Sequence, residues 1–175
     1  MIRRAVQDDL DQIERIYQQI HEAQERGLVT TGWIRDVYPT SETAQAAILR
    51  EDMFVLEEKG EICGCGIINQ VQVDAYSKAR WEHAVPADQV CVLHTLVISP
   101  AEQGKGYGRE FLAFYEKYAA EHGFPELRLD TNARNTGARA MYKKHGYREI
   151  GIVPTVFNKI PGVDLVLLEK YLAQG

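Results

Sequence analysis

Apolar positions along the chain follow two rhythms. Leu10, Ile13, Ile16, Tyr17 and Ile20 fall at intervals of three and four, which predicts a helix to about residue 26. Asp8 is placed to cap its start, and Gly27 ends it. Phe111, Phe114, Tyr115 and Tyr118 stripe another helix over residues 106–122, closed by Gly123. Shorter helices are predicted from Thr40 or Ser41 to residue 50, and over 138–145, entered through Asn135 and closed by Gly146. Apolar runs and alternations predict strands over 2–6, 53–58, 62–73, 91–98, 127–131, 147–153 and 163–168. Lys59-Gly60 joins the second and third of these in a hairpin. The order is β-α-α-β-β-β-α-β-α-β-β. That is an α/β (α+β) chain with a mixed sheet, read as a single domain over residues 1–175.

Composition narrows this little. A chain of 175 residues can bury a core. No apolar stretch is long enough to span a membrane, and no apolar leader follows Met1, so the expectation is a cytoplasmic protein that does not act at a membrane. A net charge of −5 argues against nucleic acid as partner. Residues 101–145 hold eight Lys/Arg against six Asp/Glu, leaving twelve against nineteen elsewhere. That split suits an anionic ligand on the basic segment and a cationic partner elsewhere. Cys63, Cys65 and Cys91 are an odd set without zinc-site spacing and read as buried thiols; no metal site is expected.

The segment with the strongest chemical content is Gln103-Gly104-Lys105-Gly106-Tyr107-Gly108, between the apolar strand 91–98 and a predicted helix. Three glycines in five residues allow a tight turn and close approach of backbone to ligand. Their N–H groups would gather at a helix N-terminus, a site for phosphate. A dinucleotide fingerprint would need its third glycine at Arg109, and a P-loop would need Ser or Thr at Gly106, so both patterns fail.

Gln103, Gly106 and Gly108 do satisfy Gln/Arg-x-x-Gly-x-Gly/Ala. With Leu96-Val97-Ile98-Ser99-Pro100 ahead of the loop, and Asn135, Ala138, Tyr142 and Gly146-Tyr147 behind it, the chain resembles the GCN5-related N-acetyltransferase (GNAT) superfamily across residues 91–148. The resemblance implies a mixed, mostly antiparallel sheet flanked by helices, acetyl-CoA as co-substrate, and direct attack of an amine on the thioester. It implies main-chain pairing of the pantetheine arm with Leu96, Val97 and Ile98. It also implies a pyrophosphate cradle from Gln103, Gly104, Lys105, Gly106, Tyr107, Gly108 and Arg109. Asn135 and Ala138 fall on the pantetheine side, and Lys144 in reach of the adenosine phosphate.

An amine with a pKa of about 10.4 must lose a proton before it attacks. His94 is the candidate base, since its ordinary pKa of about 6.5 suits neutral pH. Strict alternation puts it on one face with Val92, Leu96 and Ile98. Val92 stands where other members of the superfamily carry a glutamate. Tyr142 matches the tyrosine that protonates the departing sulfur in the family, and a phenol is protonated at neutral pH. Trp33, Tyr38 and Trp81 lie in the irregular segments and are candidates for binding the acceptor. The expected activity is acetylation of a small-molecule amine. The rivals are a protein or peptide N-acetyltransferase and a non-catalytic acyl-CoA-binding module, and the resemblance allows a homodimer.

Overall fold

A computed structural model describes residues 1–173. The elements are β1 (Ile2–Arg4), α1 (Leu10–Glu25), α2 (Ser41–Leu49), β2 (Met53–Glu58), β3 (Glu61–Asn69), β4 (Val90–Ile98), α3 (Tyr107–Glu121), β5 (Glu126–Asn132), α4 (Thr136–Lys144), β6 (Arg148–Phe157) and β7 (Ile160–Tyr171). Their order matches the sequence reading. The seven strands form one sheet in the order β1-β2-β3-β4-β5-β7-β6. Every neighbouring pair is antiparallel except β4 and β5, which run parallel.

Each face of the sheet buries its own cluster. On one side Ile13, Ile16, Tyr17 and Ile20 of α1 and Ala44 and Ala47 of α2 pack on Val55, Cys65, Ile67 and Val97. On the other, Phe111, Leu112 and Tyr115 of α3 and Tyr142 of α4 pack on Phe54, Leu56, Leu93 and Leu129. The i, i+3, i+4 spacing of α1 and α3 thus becomes two apolar stripes, one per face. All three cysteines are buried and free, and burial pushes the Cys65 and Cys91 thiols up to about 12.

Four local readings are corrected. Asp8 does not cap α1; the residue before the helix is Asp9, whose carboxylate makes no cap bond to α1 and instead accepts Val6 N–H at 2.8 Å and is held by Arg3. The third strand ends at Asn69 rather than residue 73, because Asn69 Oδ1 accepts Val71 N–H at 2.9 Å and turns the chain. The last two strands extend toward each other to Phe157 and Ile160. Asn158 and Lys159 join them at φ of 51° and 66°, the left-handed pair that a two-residue hairpin requires.

The fourth correction shapes the site. Thr95 sits at φ 50°, and the β3–β4 register jumps from Cys65↔Val97 to Ile67↔His94. One residue of β3 therefore opposes two of β4, a bulge. Alternation is broken there. Leu96 packs on the α3 side, Val97 on the α1 side, and His94 no longer shares a face with Leu96.

Gly66 lies opposite the bulge. A Cβ there would stand 2.9 Å from the Phe111 ring and 3.2 Å from Leu93 Cδ1. Gly66→Ala should therefore cost about 1–3 kcal/mol through overpacking. Thermal unfolding checks this; an unchanged melting temperature would mean the Phe111 contact is loose.

Candidate functional site

Beta-strands 4 and 5 pair only from Val90↔Glu126 to Leu93↔Leu129. Beyond that point β5 stays with β7 as far as Asn132↔Leu165, while β4 stays with β3 as far as Ile98↔Gly64. The two parallel strands part like a wedge. A cavity of about 820 Å³ opens in it, at the carboxyl ends of both strands. Ligands of open α/β sheets sit in such places, where main-chain groups on a parted edge are left to pair with something else.

The glycine loop forms one end of this cavity. Gly104 and Gly106 adopt φ of 83° and 86°, which an L side chain resists. No described carbonyl or side chain accepts the backbone N–H groups of residues 104–109; the first closed bond is Glu110 N–H to Gly106 O at 3.0 Å. Those donors and the start of the 15-residue α3 make a cradle fitted to an anion. Gly108 has a different reason to lack a side chain, since a Cβ there would press on Met141 Sδ of α4 at 3.0 Å. Asn135 Oδ1 accepts Ala138 N–H at 3.3 Å, so Asn135 caps α4 while lining the cavity.

Leu96, Val97, Ile98, Gln103, Gly104, Gly106, Tyr107, Gly108, Arg109, Asn135, Ala138, Tyr142, His94, Trp33 and Tyr38 all line the cavity. Three sequence candidates do not. Lys105 turns back to an ion pair with Glu102 at 2.6 Å. Lys144 lies exposed on α4, outside the lining. Trp81 is folded onto the core: its Nε1 donates to Tyr76 O at 2.9 Å, and the Arg128 guanidinium covers its ring at 4.0 Å.

Tyr142 is buried, and its hydroxyl has no hydrogen-bond partner among the described residues. Burial, with Asp130 nearby, holds its pKa above the ordinary phenol value, so it carries its proton at neutral pH. His94 is differently constrained. Asn69 Oδ1 is fixed by Val71 N–H, and its Nδ2 donates to Asp52 at 3.0 Å. Oδ1 therefore meets His94 Nε2 at 2.8 Å as an acceptor, and Nε2 carries the hydrogen. Desolvation pulls the His94 pKa down to about 4.

Asp130 was missed from sequence. It sits on β5 where the strands have just parted, lining the cavity. Its Oδ2 accepts the Tyr76 hydroxyl at 2.6 Å, and Oδ1 has no partner among the described residues. Burial pushes its pKa up to about 6, the Tyr76 bond opposing. The signal was an acidic residue closing the run Leu127-Arg128-Leu129, near the carboxyl end of a predicted strand. Thr95 was missed as well; its hydroxyl meets that of Tyr38, tying the bulge to the α1–α2 segment.

The sequence model of the Acetyltransferase (GNAT) family matches residues 10–147. The mycothiol acetyltransferase of Jonesia denitrificans is 36% identical over 67 residues, which is 38% of this chain and 21% of that protein. The chain spans less than half the length of the other curated relatives it matches. A GNAT-family acetyltransferase structure from Streptococcus agalactiae superposes with a TM-score of 0.81 at 24% identity, covering 99% of this chain and 96% of that one. A Salmonella typhimurium structure solved with acetyl-CoA gives a TM-score of 0.71 at 19% identity, covering 100% and 95%. The family match and the two superpositions extend over the parted strands and the glycine loop, and no helix among the described residues is long and apolar enough to cross a membrane. The chain belongs to the acetyltransferase (GNAT) family.

Proposed function

We propose that this chain moves an acetyl group from acetyl-CoA to the amine of a small molecule. The observation that carries the reading is the wedge between β4 and β5, which puts an unpaired strand edge beside a loop of unclaimed N–H groups. Residues 104–109 would hold the pyrophosphate, with Arg109 adding charge, and the parted edge of β4 from Leu96 to Ile98 would hold the pantetheine arm. Bound there, acetyl-CoA supplies a thioester carbon for the amine to attack, forming a C–N bond as the C–S bond breaks.

The chain's own residues move two protons. Asp130 lines the cavity, its Oδ1 has no hydrogen-bond partner among the described residues, and its pKa of about 6 leaves it ionised at neutral pH. It is better suited than His94 to take the ammonium proton, because a histidine at about 4 is a weak base and its Nε2–H is engaged by Asn69. His94 then positions the wall as a neutral ring. Tyr142 Oη returns a proton to the departing sulfur, and its raised pKa keeps it loaded until then.

The loop is tested by Gly106→Val, which cannot adopt the left-handed backbone without strain. Acetyl-CoA affinity should fall at least about tenfold by calorimetry; a wild-type Kd would remove the loop from the site. Tyr142→Phe should lower kcat by roughly 10²–10⁴-fold with little change in acetyl-CoA affinity. The base is separated by pH. The base must be deprotonated, so kcat/KM should fall as pH drops through about 6 if Asp130 acts, and only near 4 if His94 does. Asp130→Asn should abolish that limb and His94→Ala should leave it; the reverse pattern would return the role to His94.

A further inference from the structure

Charge is distributed unevenly around the cavity. Among its lining residues Arg109 is the only Lys or Arg, and it lies on α3 at the glycine-loop end, where Glu102 also sits. The opposite wall is built on the other face of the sheet. Trp33 and Tyr38 come from the α1–α2 segment, their rings 6.2 Å apart and edge to face. Phe157, Ile160 and Val163 come from the β6–β7 hairpin. Arg134 and Lys159 lie in bordering loops and are not lining residues, although the exposed Arg134 guanidinium stands beside Gly32 of the lining; Arg50, behind Tyr38 and His94, is paired with Asp52. Within this wall the ionisable groups besides Tyr38 are Asp130 and His94, and burial keeps His94 neutral down to about pH 4.

We infer that the acceptor is an amine with one positive charge on an apolar body of aromatic size, bearing no carboxylate or phosphate. This rests on the acetyl-transfer reading above. Asp130 Oδ1 is a single fixed acceptor for one ammonium, since Tyr76 locks the other oxygen at 2.6 Å. Flat apolar walls at Trp33, Tyr38 and Phe157 take the rest of the molecule. An α-carboxylate held beside the ammonium would be repelled by Asp130, with no Lys or Arg among the residues lining this wall to offset the cost. A second ammonium would find no second carboxylate on this wall, Glu102 lying at the glycine-loop end and paired with Lys105.

Matched pairs test this: phenethylamine against phenylalanine, and tryptamine against tryptophan. Each is measured by thiol release from acetyl-CoA, and by calorimetric binding to the protein saturated with coenzyme A. The expected preference for the amine over its amino acid is about 100-fold or more, from the cost of an unpaired buried charge. Asp130→Asn should weaken amine binding at least about tenfold while acetyl-CoA affinity stays at the wild-type value. Equal use of amine and amino acid, or binding of neither, would overturn the inference. So would turnover of a lysine peptide with none of the free amines. If acetyl-CoA itself does not bind, the transfer reading fails; the calorimetric preference, taken on the free protein, still decides the acceptor class.

Discussion

The parting of two parallel strands governs the rest of this molecule. Up to Leu93 and Leu129 the β4–β5 ladder is closed, and past them each strand keeps only its outer partner. Buried main-chain groups are seldom left without partners, so an opened ladder inside a sheet is a place prepared for something that brings its own. The Thr95 bulge accompanies the opening. It re-aims Leu96 and Val97 to opposite faces and ties β4 to the α1–α2 segment through Tyr38. Local irregularity in β4 thereby couples the packing of the central strand to the α1–α2 segment on one wall of the cavity.

Electrostatics inside the wedge follow from desolvation more than from charge pairing. Tyr142, His94 and Asp130 are each displaced in the direction that favours the neutral form. For the tyrosine this preserves a proton to give. For the histidine it removes basic strength. For the aspartate it brings a carboxyl from the ordinary acid range to about 6, close to neutrality and still ionised above it. One environment thus gives a protonated phenol, a neutral imidazole and a carboxyl brought near neutrality by their chemical type alone.

The two ends of the cavity are suited to opposite charges by different devices. Oriented backbone dipoles at the glycine loop serve a polyanion without requiring lysines, and Lys105 is free to pair with Glu102 instead. A single carboxylate set among aromatic rings serves the cation. The basic bias of residues 101–145 falls at the first end, although the lysines singled out within it do not line the cavity.

Element order, helix stripes, buried thiols and the phosphate-loop pattern were all legible in the chain, because they rest on local spacing and on glycine at defined positions. Leu96 to Ile98, the glycine loop, Asn135 and Tyr142 were singled out that way, and all but Lys105 of the loop line one cavity. Folding alone settled which face Leu96 takes, since a bulge depends on the partner strand and leaves no trace in alternation. It settled that Trp81 serves the core, because an aromatic in a loop is drawn to whichever surface buries it, here Arg128 and Tyr76. It also made Asp130 a candidate base and weakened His94: a side chain's acidity is set by the water it loses and the neighbours it gains, and both come from residues distant in the chain.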